Sequence, residues 1–177
     1  AEATAPSANT STFEDLEQSL LDRLPEVTKP ISRQWLIRVL EWFGSEASVP
    51  LLAAYLKDSD KETSECARRA LIANPSAEAI KVLAGAFIHS EESAKGMYLD
   101  AFVYRNDVRS VKVIKDFLQS GHSPLVEEAA RALIQLGGAE AIDSISQAYS
   151  RADAENRAVL ERAILASGAD AEQCWSL

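Results

Sequence analysis

The tract Arg69-Ala70-Leu71-Ile72 recurs as Arg131-Ala132-Leu133-Ile134, 62 residues later. Half that interval, 31 residues, places Val39-Leu40, Ala70-Leu71, Ala101-Phe102, Ala132-Leu133 and Ala163-Ile164 in one register. A repeat of this length constrains the chain more than any local motif. Each unit must be one supersecondary element, and neighbours must stack to bury one another's apolar side.

Two apolar stripes run through the register. The first occupies 36, 39 and 40 and the equivalent positions up to 160, 163 and 164, reading Leu-Val-Leu, Ala-Ala-Leu, Tyr-Ala-Phe, Ala-Ala-Leu and Leu-Ala-Ile. Spacings of three and four mark one face of a helix. The second reads Val49-Leu52-Leu56, Ile80-Leu83-Phe87, Val111-Ile114-Leu118 and Ile142-Ile145-Tyr149. It has the same helical period, so each repeat is expected to be helix, tight turn, helix. Alanines dominate the 39/70/101/132/163 column because a bulky residue there would force the layers apart.

The breaks within repeats fall at Gly44-Ser45, Asn74-Pro75, Arg105-Asn106-Asp107, Gly137-Gly138 and Gly168. Gly and Asn suit a left-handed residue that ends a helix. Between repeats stand start signals: Ser59-x-x-Glu62 as a capping box, and Ser123-Pro124 as an N-cap followed by Pro. Phe13 to Leu24, opened by Ser11-x-x-Glu14, reads as a further amphipathic helix that covers the first apolar face. Trp35 and Trp42, seven residues apart, could mark a binding face if exposed, but packing against that cap is the expected role, since large aromatics are seldom left bare. At the other end, Cys174 and Leu177 match Ile142 and Ile145 with one residue inserted after Gly168. An apolar face left open there suggests a fragment of a longer chain or a pairing surface.

Bulk properties narrow the function. In 177 residues, 47% are hydrophobic and 25% charged, which suits a globular chain, and no apolar run is long enough for a membrane span. The net charge of −9 speaks against a phosphate-backbone partner, so no nucleic acid and no membrane insertion are expected. Two cysteines, Cys66 and Cys174, are too few for a disulfide framework and read as small buried hydrophobes. Residues 1–12 are small, polar and aperiodic, a flexible lead-in resembling the start of a mature secreted protein.

Residues Val126 to Ile142 (Val-Glu-Glu-Ala-Ala-Arg-Ala-Leu-Ile-Gln-Leu-Gly-Gly-Ala-Glu-Ala-Ile) resemble a HEAT repeat, with the short variety of phycobilisome lyases the nearest match. The resemblance covers about residues 32–177 in five copies, 32–58, 59–89, 90–121, 122–150 and 151–177, after a cap and linker over 13–31. It implies an all-α fold: a right-handed α-α superhelix of stacked hairpins, a HEAT-like solenoid. It also implies a scaffold used mainly to bind other proteins. Similar short arrays occur in large exported bacterial proteins, so the remainder of a longer parent chain is another candidate partner, and a periplasmic or extracellular location is one expectation.

In such a solenoid the second helices line the concave side. Their faces away from the core carry Lys57, then Lys81 and Ile88 beside Gly85, then Lys112, Asp116 and Gln119, then Asp143 and Gln147. This mixed face, mildly basic at its centre, is the candidate site for a protein or peptide with an acidic stretch; the alternative is a solvated, unused face. Arginines at 38, 69, 131 and 162 form a column on the first helices, interrupted by Asp100. They are expected to cover apolar surface and pair with nearby carboxylates, with Asp100 paired to Arg69 or Arg131. His89 and His122 sit in turns without further ligands for a metal. Glu91-Glu92 and Glu127-Glu128 favour helix starts. No nucleophile–base set, phosphate loop or zinc-spaced cysteine pattern is present, so no catalytic, cofactor or metal residues are assigned and a non-enzymatic role is expected. The enzymatic alternative, a bilin lyase-like protein, rests on the repeat type alone.

Overall fold

A computed structural model describes residues 8–119 and 125–166. Ten α-helices run through them: α1 Ala8–Arg23, α2 Pro30–Phe43, α3 Val49–Tyr55, α4 Lys61–Ala73, α5 Ala77–His89, α6 Glu92–Arg105, α7 Val111–Gln119, α8 Val126–Leu136, α9 Ala139–Arg151 and α10 Ala154–Ala166. No strand occurs among the described residues. The fold is all-α, built from short helices joined by turns. The chain divides into two compact units, Ala1–Leu83 and Ala84–Leu177.

In the first unit, α4 packs on both α2 and α3. The stripe residues Ala67, Ala70 and Leu71 are fully buried, as are Leu52 and Leu83. Polar side chains fix the turns. Asp60 caps α4, accepting from the Thr63 N–H at 3.0 Å, the Thr63 hydroxyl at 2.6 Å and the Gln34 amide at 2.8 Å. The Arg33 guanidinium donates to Asp58 at 3.0 Å and to the Val27 carbonyl at 3.0 Å, and lies over the Tyr55 ring. Buried Asn74 donates to the Ser45 carbonyl at 2.6 Å, tying the turn after α4 to the turn after α2.

In the second unit, α8 packs against α6, α7 and α10, and α7 against α9. Phe87 and Phe102 are buried edge to face, their centroids 5.8 Å apart, and Phe117 meets Phe87 at 5.1 Å. Ala101, Ala132 and Ala163 are buried, as close approach demands. Lys95, also buried, donates to the carbonyls of Phe87 (3.0 Å) and Ser90 (2.8 Å), closing the C-terminal end of α5. A lysine there satisfies orphan carbonyls and complements the negative end of the helix.

Several expectations need correction. Helix α1 starts at Ala8, so part of the supposed lead-in is helical and Ser11 lies inside the helix rather than at its cap. Neither Pro nor Gly stands between Ala8 and Phe13 to stop it. Asp60, not Ser59, caps α4, because its carboxylate reaches both Thr63 donors. The left-handed ending occurs at Asn106 (φ 48°) and Gly137 (φ 68°), but Gly44 (φ −60°) and Asn74 (φ −67°) are extended. Gly44 is needed for space instead: a Cβ would lie 2.6 Å from the Leu40 carbonyl oxygen and 3.0 Å from Ser48 Oγ. Trp35 and Trp42 do not pack beneath α1; they are 63% and 87% exposed. The core side of α2 is filled by Gln34, Ile37 and Leu40 instead. Ser123-Pro124, His122, Gly168, Cys174 and Leu177 lie outside the described residues.

Candidate functional site

The second helices owe their outward faces to the same periodicity that builds the core. Helix α7 buries Val111, Ile114 and Leu118, one stripe at i, i+3 and i+7. Its start is held by Asp107, which accepts from the Arg109 N–H at 3.0 Å. The opposite side therefore presents Lys112 and Asp116, both exposed, and half-buried Gln119. Helix α9 buries Ala141, Ser144, Ile145 and Ala148, leaving Asp143 and Gln147 exposed. The Gln119 amide donates to Gln147 Oε1 at 3.3 Å, bringing the two helices' outward residues together. Lys112, Asp116 and Asp143 form no ion pair among the described residues.

The other candidates are placed less uniformly. Lys81 is exposed on α5 and pairs with Glu78 one turn earlier. Ile88 is exposed near the end of α5. Lys57 does not lie on a second helix: α3 ends at Tyr55, and Lys57 follows in the turn. The candidates thus divide between the units, with Lys57 and Lys81 in the first and the remaining six in the second.

The arginine column is consumed by ion pairs. Arg38 meets Glu62 at 3.0 Å, Arg69 meets Glu41 at 3.3 Å, and Arg131 and Arg162 both meet Glu127, the latter at 3.5 Å. Asp100 is exposed and forms no ion pair with Arg131 among the described residues, while Arg69 is already engaged by Glu41. Cys66 is buried and unbridged. His89 is exposed at the end of α5. Among the described residues no group of three or more His, Cys, Asp or Glu could hold a metal ion, and no helix is long and apolar enough to cross a membrane.

Two clusters perturb their own ionisation. Hydrogen bonds from the Thr63 hydroxyl, the Gln34 amide and the Thr63 N–H hold the Asp60 carboxyl below the usual carboxylate range. The Arg109 guanidinium does the same for Asp107. Beside it, burial lowers the pKa of Arg105. These groups cap and brace turns, which accounts for their shifts without a reaction.

Sequence reasoning placed Trp35 and Trp42 of α2 against the cap, and it missed the other exposed apolar residues of the first helices, Ile31 on α2 and Met97 and Tyr104 on α6. A signal existed in the register, since 35 and 97, and 42 and 104, are each two repeats apart. Large apolar side chains recur there outside the buried stripe.

Residues 17–97 match the family described as HEAT repeats, and residues 125–151 match the PBS lyase HEAT-like repeat. No curated protein matches the chain. The two matches fall on the stretch from α1 to α6 and on α8 with α9, and the chain belongs to the HEAT-repeat family.

Proposed function

We propose that this HEAT-repeat chain is a non-enzymatic scaffold that binds a protein or peptide through the outward face of its second helices. The observation that carries the reading is the state of α7 and α9. Their inner faces are spent on the core, while Lys112, Asp116 and Asp143 keep charges that no ion pair among the described residues uses. Surface charges left unpaired on a rigid element are free to set the register of a partner, and repeat arrays bind through such extended faces. Ile88, exposed near the end of α5, is a further candidate within the same unit.

The test reverses Lys81, Lys112 and Gln119 to Glu and measures recovery of bound partners from the native source by affinity capture. Loss of an acidic partner supports the reading. Unchanged recovery of every partner sinks it.

A second reading, a bilin lyase-like enzyme, draws on the match of residues 125–151 to the PBS lyase HEAT-like repeat. Mixing the protein with a free bilin and a candidate acceptor protein checks it: a stable absorbance change with covalent attachment supports it, and an unchanged spectrum counts against it.

A further inference from the structure

The first hairpin differs from the others in what it leaves open. Equivalent stripe positions are buried at Ala67 and Ala70, at Tyr98 and Ala101, at Ala129 and Ala132, and at Leu160 and Ala163. At Leu36 and Val39 they are only half-buried. Helix α1 covers this side incompletely. Phe13 meets Phe43 with centroids 5.8 Å apart, and the Ser45 N–H donates to Glu17 at 2.7 Å, so the start of α1 lies against the end of α2. Towards the other end, an open groove is lined by Ser19, Leu20, Arg23, Glu26, Val27 and Leu36.

The helices flanking this groove expose large apolar side chains. Leu16 stands one turn before Leu20 on α1 and is 44% exposed. On α2, Ile31 and Trp35 are one turn apart, and Trp42 stands two turns further on. Exposed apolar residues scattered singly need no account, but a cluster of them beside an apolar groove marks a docking surface, and tryptophan is the side chain most enriched in binding hot spots.

Charge identifies the occupant. From Phe13 to Val27 the chain carries Glu14, Asp15, Glu17, Asp22 and Glu26 against a single cation, Arg23, which pairs with Glu26 at 3.4 Å. Glu14, Asp15 and Asp22 are exposed and form no ion pair among the described residues. An apolar floor with a negative border is complementary to a segment with an apolar face and flanking cations. A second copy is disfavoured: in a two-fold contact the same acidic border would face itself, in a chain already at −9. From Leu16 to Arg23 the open side of α1 runs for about 12 Å, room to meet about two turns of a partner helix.

We propose that the groove between α1 and α2 docks a basic amphipathic helix of a partner protein, with Leu16, Leu20, Leu36 and Trp35 receiving its apolar face and Asp15 and Asp22 its lysines or arginines. The mode is helix-in-groove recognition, read through anchors at i, i+3 or i+4, and i+7. This surface belongs to the first unit and the α7–α9 face to the second, and they share no residue, so either proposal can fail without the other.

The test uses three synthetic peptides of about four helical turns: Leu and Lys at amphipathic spacing, Leu and Glu at the same positions, and Ser and Lys at the same positions. Binding is followed by tryptophan emission and by hydrogen exchange. The Leu/Lys peptide is expected to bind the whole chain with a blue shift, to protect α1 and α2, and to weaken as salt rises. Its affinity is expected to fall at least about tenfold in Leu16→Ser/Trp35→Ser and in Asp15→Lys/Asp22→Lys, a change of about 1.4 kcal/mol or more. These four residues are exposed, and circular dichroism checks that the variants stay folded. The proposal is overturned if the Leu/Lys peptide does not bind, binds both variants as tightly as the parent, or protects other helices. It is equally overturned if the Leu/Glu or Ser/Lys peptide binds as tightly, or if sedimentation shows that the chain buries this groove by self-association.

Discussion

Helices α2 and α8 occupy the same place in the repeat and are finished differently. Val126, Ala129, Ala132 and Leu133 are all buried, and α8 packs on four neighbouring helices, α6, α7, α9 and α10. On α2, Leu36 and Val39 remain half-open and the tryptophans stand in solvent. The same pattern therefore yields a closed layer where hairpins exist on both sides and an accessible one where only α1 lies against it. A repeat specifies which side of a helix is apolar. Whether that side is buried depends on what stacks on it.

The largest expected effect lies in the closed region. Phe102→Ala removes a fully buried ring that packs edge to face on Phe87, and is expected to cost about 3–5 kcal/mol, read from urea unfolding. A cost below about 1 kcal/mol would mean that the second unit's core is not packed as described. Next comes a matched pair at one register position. Ala132→Leu is expected to lose about 1–3 kcal/mol by overpacking. Val39→Leu, three repeats earlier and half-exposed, should stay within about 0.5 kcal/mol. Equal losses would break the contrast between closed and open layers.

A smaller effect is expected at the α4 cap. Asp60→Ala should lower the melting temperature through loss of the N-cap bond to Thr63. It should also flatten the acid limb of the stability profile. Because hydrogen bonding lowers the folded-state pKa of Asp60, the unfolded chain takes up the proton first. The contribution is therefore complete above the unfolded value of about 3.9 and is lost as pH falls through the lower folded value. Thermal melts of parent and variant that stay parallel from pH 7 to pH 2 would rule this out. The smallest effect concerns the arginine column: Arg38→Gln breaks an exposed pair with Glu62 and should shift the melting temperature least of these variants, with the difference from the parent vanishing as salt rises.

Part of the candidate site's geometry was legible before the fold. The outward residues of α7 and α9 follow from the period that buries Val111, Ile114 and Leu118, because a helix has only one core side. The pairing of the arginine column with carboxylates was also anticipated, since long side chains beside an apolar stripe find partners nearby. Asp60 was not, because Ser59 gives an equally good capping pattern and only the position of Thr63 and Gln34 decides between them. The exposure of Trp35 and Trp42 was misjudged for a related reason: frequency of burial describes tryptophan in general, not a helix whose core side is already filled by Gln34, Ile37 and Leu40.

The sequence by itself determined the repeat, its period, the helical hairpin and the apolar side of each helix, because these depend on spacing along the chain. Tertiary structure alone decided which caps close, that Gly44 is needed for room rather than for a left-handed turn, and that the layer under α1 stays open. Those outcomes depend on atoms brought together from distant positions, and volume and hydrogen-bond reach in three dimensions leave no period in the sequence.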